Sequence, residues 1–225
     1  MPRRAHRRTS ADVVALRGGR AASSLGPTDP GVDLYWIPVG AGHHVVRISG
    51  RIYEGLLALV QHRRHRPLFH SALVATTTEG RFIVEMTEIR DDRGQERGVV
   101  AEGAVGMACL RRVRLFRYEI RRWRDGVIPD ISYAVGGPVR ITDDVAVARQ
   151  MLELVPLVPT PVWGRDELHA GEMWNSNSVT SWLLATLGLD AVAGRPPLEG
   201  RAPGWDAGVA VAGRNVLSPP RRAAA

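Results

Sequence analysis

Two neighbouring runs of apolar and β-branched residues constrain the fold of this chain more than any other feature. They occupy residues 69–89, FHSALVATTTEGRFIVEMTEI, and Glu79 and Gly80 lie between them. Runs of this kind on either side of a short glycine-containing turn are typical of a β-hairpin. The sequence therefore predicts two adjacent antiparallel strands, and with them an antiparallel sheet.

A predicted helix follows a cluster of small polar residues in the stretch EMWNSNSVTSWLL, residues 172–184. The four polar residues are Asn175, Ser176, Asn177 and Ser178. Ser and Asn are preferred helix caps because they satisfy the backbone N-H groups that the first turn leaves free. Val179, Trp182 and Leu183 then recur at helical spacing, so we expect an amphipathic helix of about ten residues that Gly188 closes. One cap would be enough, and the other polar residues need a further explanation.

Weaker patterns predict the other elements of the chain. Residues 43–49 are typical of a strand and residues 51–63 of a helix. Residues 113–123 alternate imperfectly between apolar and charged side chains, which favours a half-exposed strand. Residues 141–156 begin with Thr and Asp and end at a proline, as a capped helix does. After residue 190 the pattern is that of loops, although part of this segment is expected to pack back on the body.

The charge of the chain is concentrated at its two ends. The net charge is +7; residues 1–31 contain six Arg and two acidic residues, and residues 214–225 contain three Arg and no acidic residue. The intervening 182 residues hold 21 Arg and 21 acidic residues. We therefore expect one α+β domain over residues 32–213, between a disordered Arg-rich arm and a disordered basic tail. A neutral body does not favour nucleic-acid binding as the main function.

Composition also limits the compartment and the cofactors. Cys109 is the only cysteine, which excludes a disulfide within the chain and thiolate metal clusters. His43 and His44 have no second ligand cluster at a recognised spacing, so neither a metal nor another cofactor is expected. No run of eighteen apolar residues predicts a membrane span, and the first twenty residues lack the apolar stretch of a signal peptide. A cytoplasmic location is the expectation, with the oligomeric state undetermined.

Two ionisable residues interrupt the hairpin strands. His70 opens the first strand beside Phe69, and Glu85 lies within FIVEM in the second. A turn at Glu79 and Gly80 places them on adjacent strands, within a residue or two of facing each other. A carboxylate beside an imidazole fixes its tautomer and raises its basicity, as in a nucleophile, base and acid arrangement. A structural pair, or an edge strand that turns both groups to solvent, is the alternative.

The order of these features resembles the circularly permuted papain-like superfamily, which includes permuted NlpC-type peptidases and lecithin-retinol acyltransferase-like enzymes. A strand opening with His comes first, then a strand with IVE, a strand with an Arg-rich end, and a helix that begins at the nucleophile. The family motif Asn-Cys-x-x-Phe is similar to NSNSV, with Ser176 at the nucleophile position and Val179 at the apolar one. The resemblance covers about residues 32–190.

The resemblance implies hydrolysis or transfer of an acyl group at an amide or ester of a small-molecule or peptide-like substrate. Ser176 would attack, His70 would accept its proton and Glu85 would orient the imidazole. N-H groups of the first helical turn, with Asn175 or Asn177, would stabilise the oxyanion. Because Ser176 stands where the family has Cys, the alternative is a non-catalytic binding module of the same fold. A nucleic-acid-binding protein with basic arms is the third choice.

Overall fold

The computed structural model describes residues 29–40, 66–89 and 97–216, and within them six strands form one sheet. The strands are β1 (Gly31–Pro38), β2 (Phe69–Thr77), β3 (Gly80–Glu88), β4 (Val99–Ala104), β5 (Arg117–Arg124) and β6 (Val139–Thr142). Their order across the sheet is β4-β5-β3-β2-β1-β6, and each neighbouring pair is antiparallel. The antiparallel sheet predicted from the sequence is confirmed.

The hairpin β2–β3 forms the centre of this sheet. Thr77 pairs with Gly80, which leaves Thr78 and Glu79 as the two-residue turn. Gly80 has a φ of 135°, a backbone conformation that side chains disfavour. The predicted hairpin is thus confirmed, with its turn one residue earlier than the predicted Glu79 and Gly80, because a short turn with glycine fixes hairpin register locally.

Three α-helices lie in the described residues: α1 (Val145–Leu154), α2 (Ser176–Thr186) and α3 (Trp205–Val216). The side chain of Asp144 accepts a hydrogen bond from the N-H of Ala146 at 2.7 Å and caps α1. The predicted helix over residues 141–156 is confirmed in its central part, but residues 139–142 form strand β6 instead. None of these helices is long and apolar enough to cross a membrane.

The two faces of the sheet pack differently. The face toward the helices, called here the helix side, carries the larger hydrophobic core, which includes Leu34, Trp36, Leu73, Val84, Met86, Tyr118 and Ile120. The opposite face, called here the second face, carries a smaller cluster of Tyr35, Ile37, Ala72, Val74, Ile83 and Ile128. Successive residues of a strand point to opposite faces, so a residue's position in this alternation decides which layer its side chain joins.

Helix α2 is confirmed at its predicted position, but its predicted amphipathic character is wrong. Residues 177–184 are all buried, because α2 contacts strands β2 and β3 and also α3. The loop-like interpretation of the chain after residue 190 is also wrong for residues 205–216, which form α3. The two glycines in AGVAVAG weaken helix propensity, and packing against α2 outweighs that weakness.

The other predicted elements either lie outside the described residues or differ in position from the observed ones. The predicted strand 43–49 and helix 51–63 lie outside the described residues, as do residues 1–28 and 217–225 of the two predicted arms. The predicted strand 113–123 begins later, at Arg117, because short 3-10 helices occupy the residues just before it. Strands β1, β4 and β6 were not predicted.

Candidate functional site

The cluster Asn175 to Ser178 forms a reciprocal cap at the start of α2. The Asn175 Oδ1 atom accepts hydrogen bonds from the N-H groups of Asn177 at 2.9 Å and Ser178 at 3.4 Å. In return, the Ser178 hydroxyl accepts a hydrogen bond from the Asn175 N-H at 3.0 Å. This capping box satisfies three backbone donors with two side chains.

The Asn177 side chain attaches the start of α2 to strand β2. Its Oδ1 accepts a hydrogen bond from the Ser71 hydroxyl at 2.8 Å, and its Nδ2 donates to the carbonyl oxygens of Phe69 and Pro203, each at 3.0 Å. Asn177 is only 3% exposed. Its amide is fully engaged, as a buried polar group requires.

The serines of α2 bind the chain that enters α3. Ser178 Oγ donates to the Gly204 carbonyl and Ser181 Oγ to the Trp205 carbonyl, both at 2.7 Å. Gly204 has a φ of 84°, and a Cβ there would lie 2.6 Å from the Asn175 Oδ1 atom. The polar cluster therefore joins three parts of the chain, the start of α2, strand β2 and the entry to α3, which explains why it holds more residues than a cap needs.

These contacts occupy several of the groups that were expected to stabilise an oxyanion. The N-H groups of residues 177 and 178 bond to the Asn175 side chain, and the N-H of Val179 bonds to the Asn175 carbonyl at 3.2 Å. The Nδ2 groups of Asn175 and Asn177 both donate to the Pro203 carbonyl. Ser176 is the first residue of α2 and is half-buried; within the described residues its hydroxyl forms no hydrogen bond.

The structure places His70 and Glu85 on the second face, away from Ser176. Ser71, next to His70, points to the helix side and contacts α2, and the β1 partner of His70 is Ile37, a member of the second-face cluster. Glu85 lies between Val84 and Met86, which both belong to the helix-side core. The sheet backbone thus lies between Ser176 and the other two predicted catalytic residues, and the structure does not bring the three together.

Glu85 instead belongs to a buried ion-pair network on the second face. Arg121 is paired with Glu85 across β3–β5, at 3.5 Å between Nη1 and Oε1, and its Nη2 lies 3.0 Å from Oε2 of Glu119. Arg97 Nη2 donates to the other oxygen of Glu119 at 2.9 Å. Glu119 and Arg121 are 2% and 4% exposed. Within the described residues, two carboxylates therefore lie beside two guanidinium groups, and buried charges require such partners.

Glu85 therefore has a structural role as a member of this ion-pair network. The direct contact expected between His70 and Glu85 stays a prediction. His70 is half-buried on the same face of the sheet. The sequence analysis did not identify Arg97, Glu119 or Arg121. The signal was present in RYEIRRW, where charged residues alternate with Tyr118 and Ile120 on one strand.

A second buried carboxylate lies at the β1–β6 edge of the sheet. Asp33 Oδ1 is 3.3 Å from Nε of Arg140, and Asp33 is 1% exposed. Burial raises the pKa of Asp33 above its ordinary value, and the nearby Arg140 opposes that shift. Burial also raises the pKa of Tyr35, with the charge of Asp33 acting in the same direction. The ion pair between Asp33 and Arg140 links strand β1 to the edge strand β6.

The connection between β4 and β5, called here the β4–β5 loop (residues 105–116), projects from the other end of the sheet. Its ends are joined by a hydrogen bond from the Val105 N-H to the Phe116 carbonyl at 2.8 Å. The N-H of Gly106 donates to the Trp163 carbonyl at 3.1 Å, and Arg165 Nε donates to the Gly106 carbonyl at 2.5 Å. The loop is therefore anchored at its base, in the manner of a compact Ω-loop.

The β4–β5 loop exposes apolar and basic side chains together. Met107 and Val113 are each 47% exposed and Phe116 is 38% exposed. Three arginines of the loop are exposed: Arg111, Arg112 and Arg114. The sequence contains no Asp or Glu between Glu102 and Glu119. A run of arginines without an acidic residue was the sequence signal for this surface, and its last part, residues 113–116, was predicted to belong to a strand.

Metal ligation finds no support among the side chains that the structure describes. Within that part of the chain, no group of three or more His, Cys, Asp or Glu side chains could hold a metal ion. Cys109 is exposed in the 3-10 helix Ala108–Arg112.

Comparison with known proteins identified no relative of this chain. No protein-family model matches the chain, and neither a curated protein nor a solved structure matches it. The resemblance to the permuted papain-like superfamily therefore stays a prediction, and function has to be inferred from the side chains of this chain.

Proposed function

We propose that this chain is a non-catalytic binding protein that contacts an anionic partner through the β4–β5 loop. The observation that carries this proposal is the concentration of exposed arginines and exposed apolar side chains on one anchored loop. Contiguous exposed apolar surface in a folded protein marks interaction sites. Guanidinium groups add recognition of phosphate or carboxylate.

Arg111 and Arg112 differ in their surroundings from several other arginines of the described residues. Arg97, Arg121 and Arg140 contact carboxylates, and Arg122 donates to the Leu152 carbonyl at 3.0 Å. Across residues 29–40, 66–89 and 97–216, neither Arg111 nor Arg112 forms an ion pair. Their guanidinium groups are exposed and available to an external anion.

The apolar residues of the loop support the same interpretation. Of the nine large apolar residues that are exposed in the described part of the chain, three belong to this loop: Met107, Val113 and Phe116. Single exposed apolar residues are ordinary on a protein surface, but here three lie within ten residues of one anchored loop.

The geometry at α2 supports a binding protein over an acyl-transfer enzyme. The N-H groups of Asn177 and Ser178 bond to the Asn175 side chain, and the proposed base and orienting acid lie on the second face. An acyl-transfer site needs the nucleophile and base within hydrogen-bond reach and donors aimed at the developing oxyanion. Both observations weigh against such a site at Ser176 and His70.

Retention on immobilised heparin tests the proposed function in the full chain. Arg111→Gln with Arg112→Gln should elute at clearly lower salt than the parent protein, because two exposed cations of the contact surface are lost. The matched control is Arg124→Gln with Arg195→Gln, which removes the same charge from exposed positions elsewhere. Equal shifts for both double variants would mean that only total charge matters, and the proposal would be wrong.

Acyl transfer by Ser176 is the second candidate function. One observation favours it: the Ser176 hydroxyl lies at a helix N-terminus, where the helix dipole stabilises an anion, and it forms no hydrogen bond within the described residues. The test is covalent labelling of Ser176, described below.

A further inference from the structure

We infer that the anionic partner of the β4–β5 loop is the surface of a lipid bilayer, with Val113 and Phe116 entering the interface and the arginines contacting lipid phosphates. This inference rests on the proposed function and names the class of partner. It concerns contact with the membrane surface and requires no membrane-spanning helix.

The apolar side chains of the loop are spaced as an interfacial contact requires. Val113 precedes the 3-10 helix Arg114–Phe116, and the Phe116 N-H donates to the Val113 carbonyl at 2.9 Å. Val113 and Phe116 therefore lie at the two ends of one short turn, with Arg112 and Arg114 on either side of Val113 in the sequence.

Apolar residues flanked by arginines match the chemistry of an anionic bilayer better than that of a nucleic acid. A bilayer interface stabilises both aliphatic burial and cationic groups beside its phosphates. Single-stranded nucleic acids are bound through several aromatic side chains on which bases stack, whereas Met107 and Val113 are aliphatic and Phe116 is the only aromatic residue of the loop. Duplex phosphates gain nothing from exposed aliphatic residues.

The base of the loop keeps this surface in place. Hydrogen bonds join Val105 to Phe116 and Gly106 to Trp163, and Glu102 and Arg117 form an ion pair just outside the loop. A contact surface that is already ordered loses less conformational entropy on binding. The apolar residues are therefore exposed in the free protein, where they can enter an interface without a folding step.

Co-sedimentation of the full chain with vesicles tests the inference. The probes are phosphatidylcholine vesicles with and without phosphatidylserine, and binding is expected only when phosphatidylserine is present. Arg111→Gln with Arg112→Gln should weaken vesicle binding by about 30-fold, at roughly five-fold per arginine. Val113→Ser with Phe116→Ser should weaken it on the order of ten-fold. Val113→Ser alone, at the more exposed position, should show part of this loss if the double variant is poorly folded.

Two control variants and a second ligand separate the inference from the proposed function. Val127→Ser with Leu157→Ser removes exposed apolar groups elsewhere, and Arg124→Gln with Arg195→Gln removes the same charge; both should bind vesicles nearly as the parent does. A labelled DNA duplex is measured with the same variants. If the serine variants bind vesicles as the parent does, or if only the duplex depends on Arg111 and Arg112, the lipid inference is wrong and the proposed function stands. If neither ligand depends on those arginines, both are wrong.

Discussion

The Ser71 hydroxyl donates a hydrogen bond to the Asn177 side chain at 2.8 Å, across 106 residues of sequence. The predicted catalytic pair His70 and Ser176 has the same separation, one residue earlier at each end. The structure thus brings together the immediate neighbours of the two residues that the sequence analysis paired. Because alternate residues of a strand point to opposite faces, a shift of one position replaces a catalytic contact by a structural one.

The first prediction concerns this contact. Asn177→Ala should lower the free energy of unfolding by about 3 kcal/mol, because it leaves the Phe69 carbonyl and the Ser71 hydroxyl buried without their partner. Ser71→Ala removes one hydrogen bond and should lower it by about 1 kcal/mol. Urea unfolding of both variants and the double variant measures this. Additive effects in the double variant would show that the two side chains do not interact.

The second prediction tests the close packing of α2 on α3. A Cβ at Gly208 would lie 2.1 Å from the Ser181 hydroxyl and 2.2 Å from the Ser178 carbonyl oxygen, whereas a Cβ at Gly213 would meet nothing within 4 Å. Gly208→Ala should therefore destabilise the protein by about 2 kcal/mol or more. Gly213→Ala on the same helix should stabilise it by up to ~1 kcal/mol through helix propensity. Similar melting temperatures for the two variants would contradict the packing.

The third prediction concerns the tip of the central hairpin. A hydrogen bond from Thr77 and the ion pair with Arg149, at 2.9 Å, lower the pKa of Glu79 from 4.5 to about 2. The folded state therefore favours the ionised form, and its stabilisation is complete above pH 4.5 and disappears as the pH falls toward 2.

Thermal unfolding as a function of pH measures this contribution. Glu79→Gln should melt below the parent near neutral pH, with a difference that shrinks through the acidic range. The control is Glu153→Gln on helix α1, an exposed carboxylate that forms no ion pair within the described residues. A difference for Glu79→Gln that is constant with pH would show that the carboxylate charge does not hold the hairpin to α1.

The fourth prediction concerns the buried ion pairs of the second face. Glu119→Ala leaves the guanidinium groups of Arg97 and Arg121 without their shared carboxylate and should destabilise the protein by about 3–5 kcal/mol. The matched control is Glu102→Ala, since Glu102 is the β4 partner of Glu119 and forms a half-exposed ion pair with Arg117. That variant should lose less than about 1 kcal/mol. Equal losses in urea unfolding would mean that burial of the network is not what makes Glu119 important.

The fifth prediction decides between binding and acyl transfer. Since His70, the proposed base, lies on the second face of the sheet, a fluorophosphonate probe should not label Ser176 in the full chain. Ser176→Cys should react with iodoacetamide at the rate of an ordinary thiol, comparable to that of the exposed Cys109 in the parent. Labelling of Ser176 that disappears in His70→Ala would instead establish the acyl-transfer candidate.

The elements that could be predicted from the sequence are those with local signals. The hairpin β2–β3 was predictable because Gly80 and the β-branched runs specify a turn and its strands within twenty residues. Helices α1 and α2 were predictable because Asp144 and Asn175 are caps whose hydrogen bonds close within three residues. The α+β class and the antiparallel sheet follow from these elements.

Other elements and contacts depend on residues that are distant in the sequence, so local patterns could not predict them. Helix α3 has two glycines and forms against α2, and strands β1 and β6 pair with partners far along the chain. The side of the sheet on which His70 falls depends on register, which a one-residue change reverses. Sequence placed four polar residues at the start of α2, but only packing against β2 and the entry to α3 shows that Asn177 binds Ser71 and Ser178 binds Gly204. These partners are chosen by long-range burial, since a polar side chain enclosed by the fold must bond to whichever groups are enclosed with it.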